Sequence, residues 1–192
     1  MGMGQTMITA LFFTLLTLMI LNAINTLNKA DQELMTTIAY KTAGDLAQSL
    51  MVEILTKKYD GLITSTNYPS DNSDVSKFTA PSSLGPETAE KVITFPDVSP
   101  FKSIGTYDDI DDYNGYSRMS DSTNGLAPFK DSVIVSYVQM TNPPTIYSGK
   151  WWTKMVQVWV TQNDYMSDLN SSTGARTYYW VKIYRVVGFT NW

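Results

Sequence analysis

Four carboxylates crowd into five residues of the run Tyr107-Asp108-Asp109-Ile110-Asp111-Asp112-Tyr113-Asn114-Gly115. Like charges at that spacing repel one another unless water solvates them, backbone amides bond them or a hard cation bridges them. Oxygen-only donors suit calcium. Asp108, Asp109, Asp111, Asp112 and Asn114 therefore form a candidate calcium set. An EF-hand is excluded, because that loop needs Asp where Ile110 lies, five residues before Gly115. Two readings without an ion stay open: a solvated acidic turn, and carboxylates that cap a helix and bond backbone amides.

Composition narrows the remaining chemistry. The chain has 192 residues, a net charge of −4 and neither Cys nor His. Without Cys there is no disulfide scaffold, thiolate zinc site or thiol nucleophile. Without His there is no Ser-His-Asp triad and no imidazole base or ligand. An acidic balance argues against nucleic acid as a partner. Neither standard Gly-rich phosphate loop is present, and the one dense carboxylate group sits in a short loop that suits ion binding better than glycoside hydrolysis. The expectation is a protein that is not an enzyme and holds no cofactor, calcium apart.

The elements that must position this loop begin with an uncharged head. The first charged residue is Lys29. Met3 to Leu27 forms 25 uncharged, mostly apolar residues, against roughly 20 needed to cross a bilayer as a helix. No basic stretch precedes the apolar run Met7 to Leu21 within it, and polar Asn22 and Asn25 follow that run, which disfavours a conventional cleaved signal peptide. At about 100° per residue, Thr6, Thr9, Thr14 and Thr17 fall within an arc of roughly 140°. Leu11, Phe12, Leu15, Leu16, Leu18 and Met19 occupy the rest. A threonine stripe is tolerated in lipid, and it also lets neighbouring helices approach closely.

Apolar periodicity continues past Leu27 through Ala30, Leu34, Ile38, Ala43, Leu46, Leu50 and Ile54, with charge on the other face. The spacing predicts one helix from about Gln5 to Lys58, about 80 Å long, with Lys57 and Lys58 at its C-terminus and Asp60-Gly61 as its stop. Residues 61–131 read as a loop-rich surface segment with one strand near Lys91 to Phe95. Ser132–Met140, Lys154–Gln162 and Thr177–Val187 read as three strands of an antiparallel meander. Val156, Val158 and Val160 share the face expected to lie on the amphipathic helix. The fold class is α+β, in four parts: helix residues 1–27, the amphipathic continuation 28–60, the segment 61–131 and the meander 132–192.

An uncharged apolar helix running into an amphipathic half beneath an antiparallel sheet resembles the type IV pilin superfamily, pseudopilins included. The acidic run is similar to Asp-Asp-aliphatic-Asp-Asp-aromatic segments in some pilin-like proteins. The resemblance implies a subunit held in the cytoplasmic membrane, handled by pilus or secretion machinery, then polymerised with copies of itself into an extracellular filament. The implied assembly residues are Gln5, Thr6, Thr9, Leu11, Phe12, Phe13, Thr14, Leu15, Leu16, Thr17, Leu18, Met19, Ile20 and Leu21. The family has a leader cut by a peptidase, and the alternatives for this chain are a cut before Met1, after Gly2 or after Gly4, or none. It also has a glutamate five residues into the mature chain, and Gln5, Met7 or Thr9 would stand there. Many relatives carry a helix-breaking proline about twenty residues in; Asn22 stands near that place. Adhesion, motility and secretion are all roles such a filament serves. The alternatives are a minor pilin or pseudopilin, and a single-span membrane-anchored binding module.

Other features have ordinary readings beside sharper ones. Trp151, Trp152, Trp159, Trp180, Trp192, Tyr178, Tyr179 and Tyr184 could stack a sugar or base, but packing in a core or between subunits is the more frequent task of such side chains. Asn170-Ser171-Ser172 fits the N-glycosylation pattern, and Ser/Thr runs at Ser70–Ser76 and Ser120–Thr123 could carry O-linked sugar.

Overall fold

A computed structural model describes residues 2–69, 74–91, 93–121, 126–169 and 173–189. Val92, the glycosylation pattern at Asn170, Trp192, residues 70–73 of the Ser70–Ser76 run and residues 122–123 of the Ser120–Thr123 run lie outside these residues. Helix α1 spans Met3–Leu55 without a break, as a stretch free of proline and poor in interior glycine allows. Asn22 does not interrupt it. The helix ends three residues earlier than expected, because the backbone of Lys58 is captured by the acidic loop: Lys58 N–H donates to Asp108 C=O (3.2 Å) and Ile110 N–H to Lys58 C=O (2.9 Å). The two lysines stand just beyond the helix, not in its last turn.

The chain divides into two compact units, Met1–Ile38 and Ala39–Trp192. In the first, described residues up to Leu34 are exposed. In the second, Ala39, Ala43, Ala47, Leu50, Met51 and Ile54 are buried. The apolar stripe read across the whole amphipathic half is thus covered from Ala39 onward, and small alanines at every fourth position allow close packing against the sheet.

The sheet uses β1 (Asp97–Val98), β2 (Ser117–Met119), β3 (Phe129–Gln139), β4 (Thr145–Ile146), β5 (Thr153–Gln162) and β8 (Val181–Gly188). Its order is β1-β2-β3-β5-β8, with β4 on the free part of β3. The β1–β2 pair is parallel and the others are antiparallel. The β3-β5-β8 meander is the expected one, with β3 running over Phe129–Gln139. Val156, Val158 and Val160 are completely buried, as period-two alternation requires.

Two expectations are corrected. No strand forms among the described residues of Lys91–Phe95; the nearest is β1, beyond Pro96, whose missing N–H prevents ladder donation there. The last strand is split: β7 (Arg176–Tyr178) pairs with β6 (Ser167–Leu169) as a separate ribbon. Tyr179 leaves that ladder by donating its N–H to Met166 C=O (2.7 Å) while accepting the Thr161 hydroxyl (2.7 Å). This places β8 against β5 only from Val181.

Candidate functional site

Gln5, Thr6, Thr9, Leu11, Phe12, Phe13, Thr14, Leu15, Leu16, Thr17, Leu18, Met19, Ile20 and Leu21 all lie on α1, all exposed. Each threonine of the stripe returns its hydroxyl to a backbone carbonyl one turn back: Thr6 to Met3 (2.9 Å), Thr9 to Gln5, Thr14 to Ala10 and Thr17 to Phe13 (2.8 Å each). Satisfied internally, these hydroxyls make no demand on the surroundings, so the stripe is compatible with lipid or with a neighbouring helix. By length and composition this one described helix is long and apolar enough to cross a membrane.

The acidic loop is not the solvated turn that charge density suggests. A turn of 3-10 helix, Asp111–Tyr113, folds it inward. Asp109, Asp111 and Asp112 are buried, while Asp108 is exposed and pairs with exposed Lys58 at 2.6 Å. Such a surface pair contributes little to stability. Backbone amides hold the others. Asp112 Oδ2 accepts the N–H groups of Asp108 (2.9 Å) and Asp109 (3.0 Å). Asp109 Oδ1 accepts those of Asp111 (2.7 Å) and Asp112 (3.1 Å), and its Oδ2 accepts Gly61 N–H. Asp111 Oδ1 meets the Lys154 ammonium at 2.6 Å. Asn114 faces elsewhere, donating to Leu84 C=O (3.0 Å) and accepting Val135 N–H (3.1 Å). The reading in which carboxylates bond backbone amides therefore describes Asp109 and Asp112.

Of the five candidate calcium residues, Asn114 is occupied by backbone and Asp111 by an ammonium. Oxygens of Asp108, Asp109 and Asp112 lie within 4.8 Å of one another, as do those of Glu87, Glu90 and Asp112. Glu87 and Glu90, from the preceding loop, were not read as part of this group. Asp112 Oδ1 and Asp111 Oδ2 are buried with no donor against them.

Protons answer part of the repulsion. Burial, then the charges of Asp111 and Asp112, push the Asp109 carboxyl up to about 9. Burial, then hydrogen bonding with Glu87 and Asp112, pushes Glu90 up to about 8. A carboxyl raised on folding binds its proton more tightly in the folded state, so the stability it contributes is complete below the ordinary carboxylate range. That stability is lost as pH rises through the folded-state values of about 8 and about 9. In metal-free buffer the melting temperature should fall between about pH 6 and about pH 9, with Glu90→Gln flattening part of the slope. A wild-type profile that is flat or rises over that interval would contradict the placement of these carboxyls.

A second buried polar centre ties α1 to the sheet. Arg118 on β2 donates to Asp131 on β3 (2.8 Å) and to Glu53 on α1 (3.0 Å), under the Phe101 ring at 4.4 Å. Glu53 also accepts Tyr113 OH (2.7 Å) and Ser103 Oγ (3.0 Å). Asp97 Oδ2 accepts Tyr116 OH (3.0 Å) and Lys102 N–H (2.9 Å). Neither this centre nor Lys154 was anticipated. Period two carried a signal for both strand residues, since Lys154 shares parity with Val156, and Asp131 with Val133.

Compared with protein-family models, with curated proteins and with solved structures, the chain matches none.

Proposed function

We propose that the chain is a structural subunit of an extracellular type IV pilus-like filament, polymerising through its N-terminal apolar helix. One observation carries the reading: every described residue of α1 up to Leu34 is exposed, and the four stripe threonines are satisfied within the helix. An apolar surface of that extent demands cover. Lipid supplies it while subunits wait in the membrane, and copies of the same helix supply it after assembly, with small polar residues allowing close approach. The β-sheet unit would form the outer wall. Gln5 can exchange hydrogen bonds with a neighbour but not form an ion pair.

Electron microscopy of the native material tests this, with Leu16→Lys as the discriminating variant. A lysine at the centre of a membrane helix costs about 2.5–3.5 kcal/mol. Wild-type cells should carry helical filaments containing this chain, and the variant should carry none while its β-sheet unit remains folded. Wild-type protein found solely as membrane-bound monomer would defeat the filament and leave an anchored binding module. The N-terminal residue of filament protein, read by mass spectrometry, would show whether Gln5, Met7 or Thr9 stands fifth.

A further inference from the structure

Lys154 is completely buried on β5, and its ammonium donates to three acceptors: Asp111 Oδ1 (2.6 Å), Tyr59 C=O (2.8 Å) and Asp60 Oδ2 (2.9 Å). The rings of Tyr59 and Tyr137 lie 4.5 and 5.5 Å from Nζ. Asp60, Asp109 and Asp111 are equally shut off from water. An amine pressed against a carboxyl in such surroundings is not confined to an ion pair. With water excluded, its nitrogen is a nucleophile held beside an acyl carbon once a neighbouring carboxylate takes its proton.

We propose that Lys154 and Asp111 condense into an intramolecular amide that ties β5 to the acidic loop. Asp60, the second carboxylate on the ammonium, acts as the proton carrier. Asp60, whose Oδ2 accepts the ammonium at 2.9 Å, takes a proton from it. Nζ attacks Asp111 Cγ and a C–N bond forms. The nitrogen passes a second proton to Asp111 Oδ2, the C–O bond breaks, and that hydroxyl leaves with the proton from Asp60 as water. Ammonium and carboxylate become amide and water, with no oxidant or co-reactant.

Asp111, not Asp60, is the acyl partner. Asp60 is held as an acceptor by the N–H and hydroxyl of Thr79 (2.9 Å each), by Leu62 N–H (3.2 Å) and by Tyr137 OH (3.4 Å). Asp111 Oδ2 has no donor against it and is the oxygen free to leave. The bond would give a chain without cysteine a covalent tie between segments 43 residues apart. It stands independently of the filament reading.

Mass spectrometry of the purified full chain decides. The expected intact mass is one water below that of its residues, and trypsin should release the 103–118 peptide joined to the 151–176 peptide through an uncleaved Lys154. Lys154→Arg and Asp111→Ala should restore the full mass. Asp111→Asn should still form the amide, losing ammonia in place of water, and Asp60→Ala should leave unreacted chain. Recovery of wild-type 103–118 and 151–154 as separate, unmodified peptides overturns the proposal, whether or not any variant folds.

Discussion

Arg118→Ala should destabilise the protein by about 3–5 kcal/mol, the range for removing one partner of a buried ionic group. Arg118 is 3% exposed, and its guanidinium sits between Asp131 and Glu53, which approach from different elements. Truncation would leave two carboxylates facing each other out of water. Asp131 is already pushed up by burial, against the restraint of Arg118, and without that restraint it would take a proton or draw in water. The cost is therefore chiefly that of stranded charge, and the intact triad adds little beyond a well-packed apolar replacement. Arg118→Lys should recover part of the loss at most, because a single ammonium cannot reproduce two separate N–H directions. Urea denaturation of the full chain in detergent, followed by far-UV circular dichroism, measures both variants. A loss below about 1 kcal/mol for Arg118→Ala would mean that the triad is not buried as described.

Phe78→Ala should cost a comparable amount, about 3–5 kcal/mol, for a different reason. The ring is fully buried and met edge-on by Trp152 at 4.9 Å, Phe189 at 5.4 Å and Tyr59 at 5.5 Å. These rings come from the segment after α1, the residue before β5 and the residue after β8, so they cannot close together over the space left behind. Their edge-to-face contacts add about 0.5–1.5 kcal/mol per pair beyond burial. Phe78→Leu fills part of the volume and should cost clearly less. The same titration, read also by tryptophan fluorescence, should show both variants unfolding at lower urea, in that order. Equal stability of Phe78→Ala and wild type would sink the argument. The tryptophans and tyrosines read as core packing are in part this cluster, while Tyr178, Tyr179, Trp180 and Tyr184 remain exposed.

The helix was legible because its signals are local. Absence of charge, proline and interior glycine over some fifty residues leaves few other structures for the chain. The valine face was legible because alternation in a strand is local too. The helix end was not: nothing near Lys58 says that its backbone will pair with Asp108 and Ile110, fifty residues on. Nor does the composition of the last β-rich run mark where Tyr179 breaks its ladder, since either side of the break has equal β-propensity.

The acidic loop divides along the same line. Four carboxylates in five residues announced chemistry from sequence alone, and the choice between solvation, amide bonding and a bound cation was left open there. The tertiary structure buried three of the four by bringing Lys154 from β5, Asp60 and Gly61 from the turn beyond the helix, and Glu87 and Glu90 from the loop between. The sequence by itself determined an apolar helix, an amphipathic continuation and an antiparallel meander, because hydrophobic periodicity acts over neighbours in the chain. Which charges are buried, and which partner each meets, was decided by tertiary structure alone. Burial and Coulomb energy depend on distances in space between residues that the sequence keeps far apart.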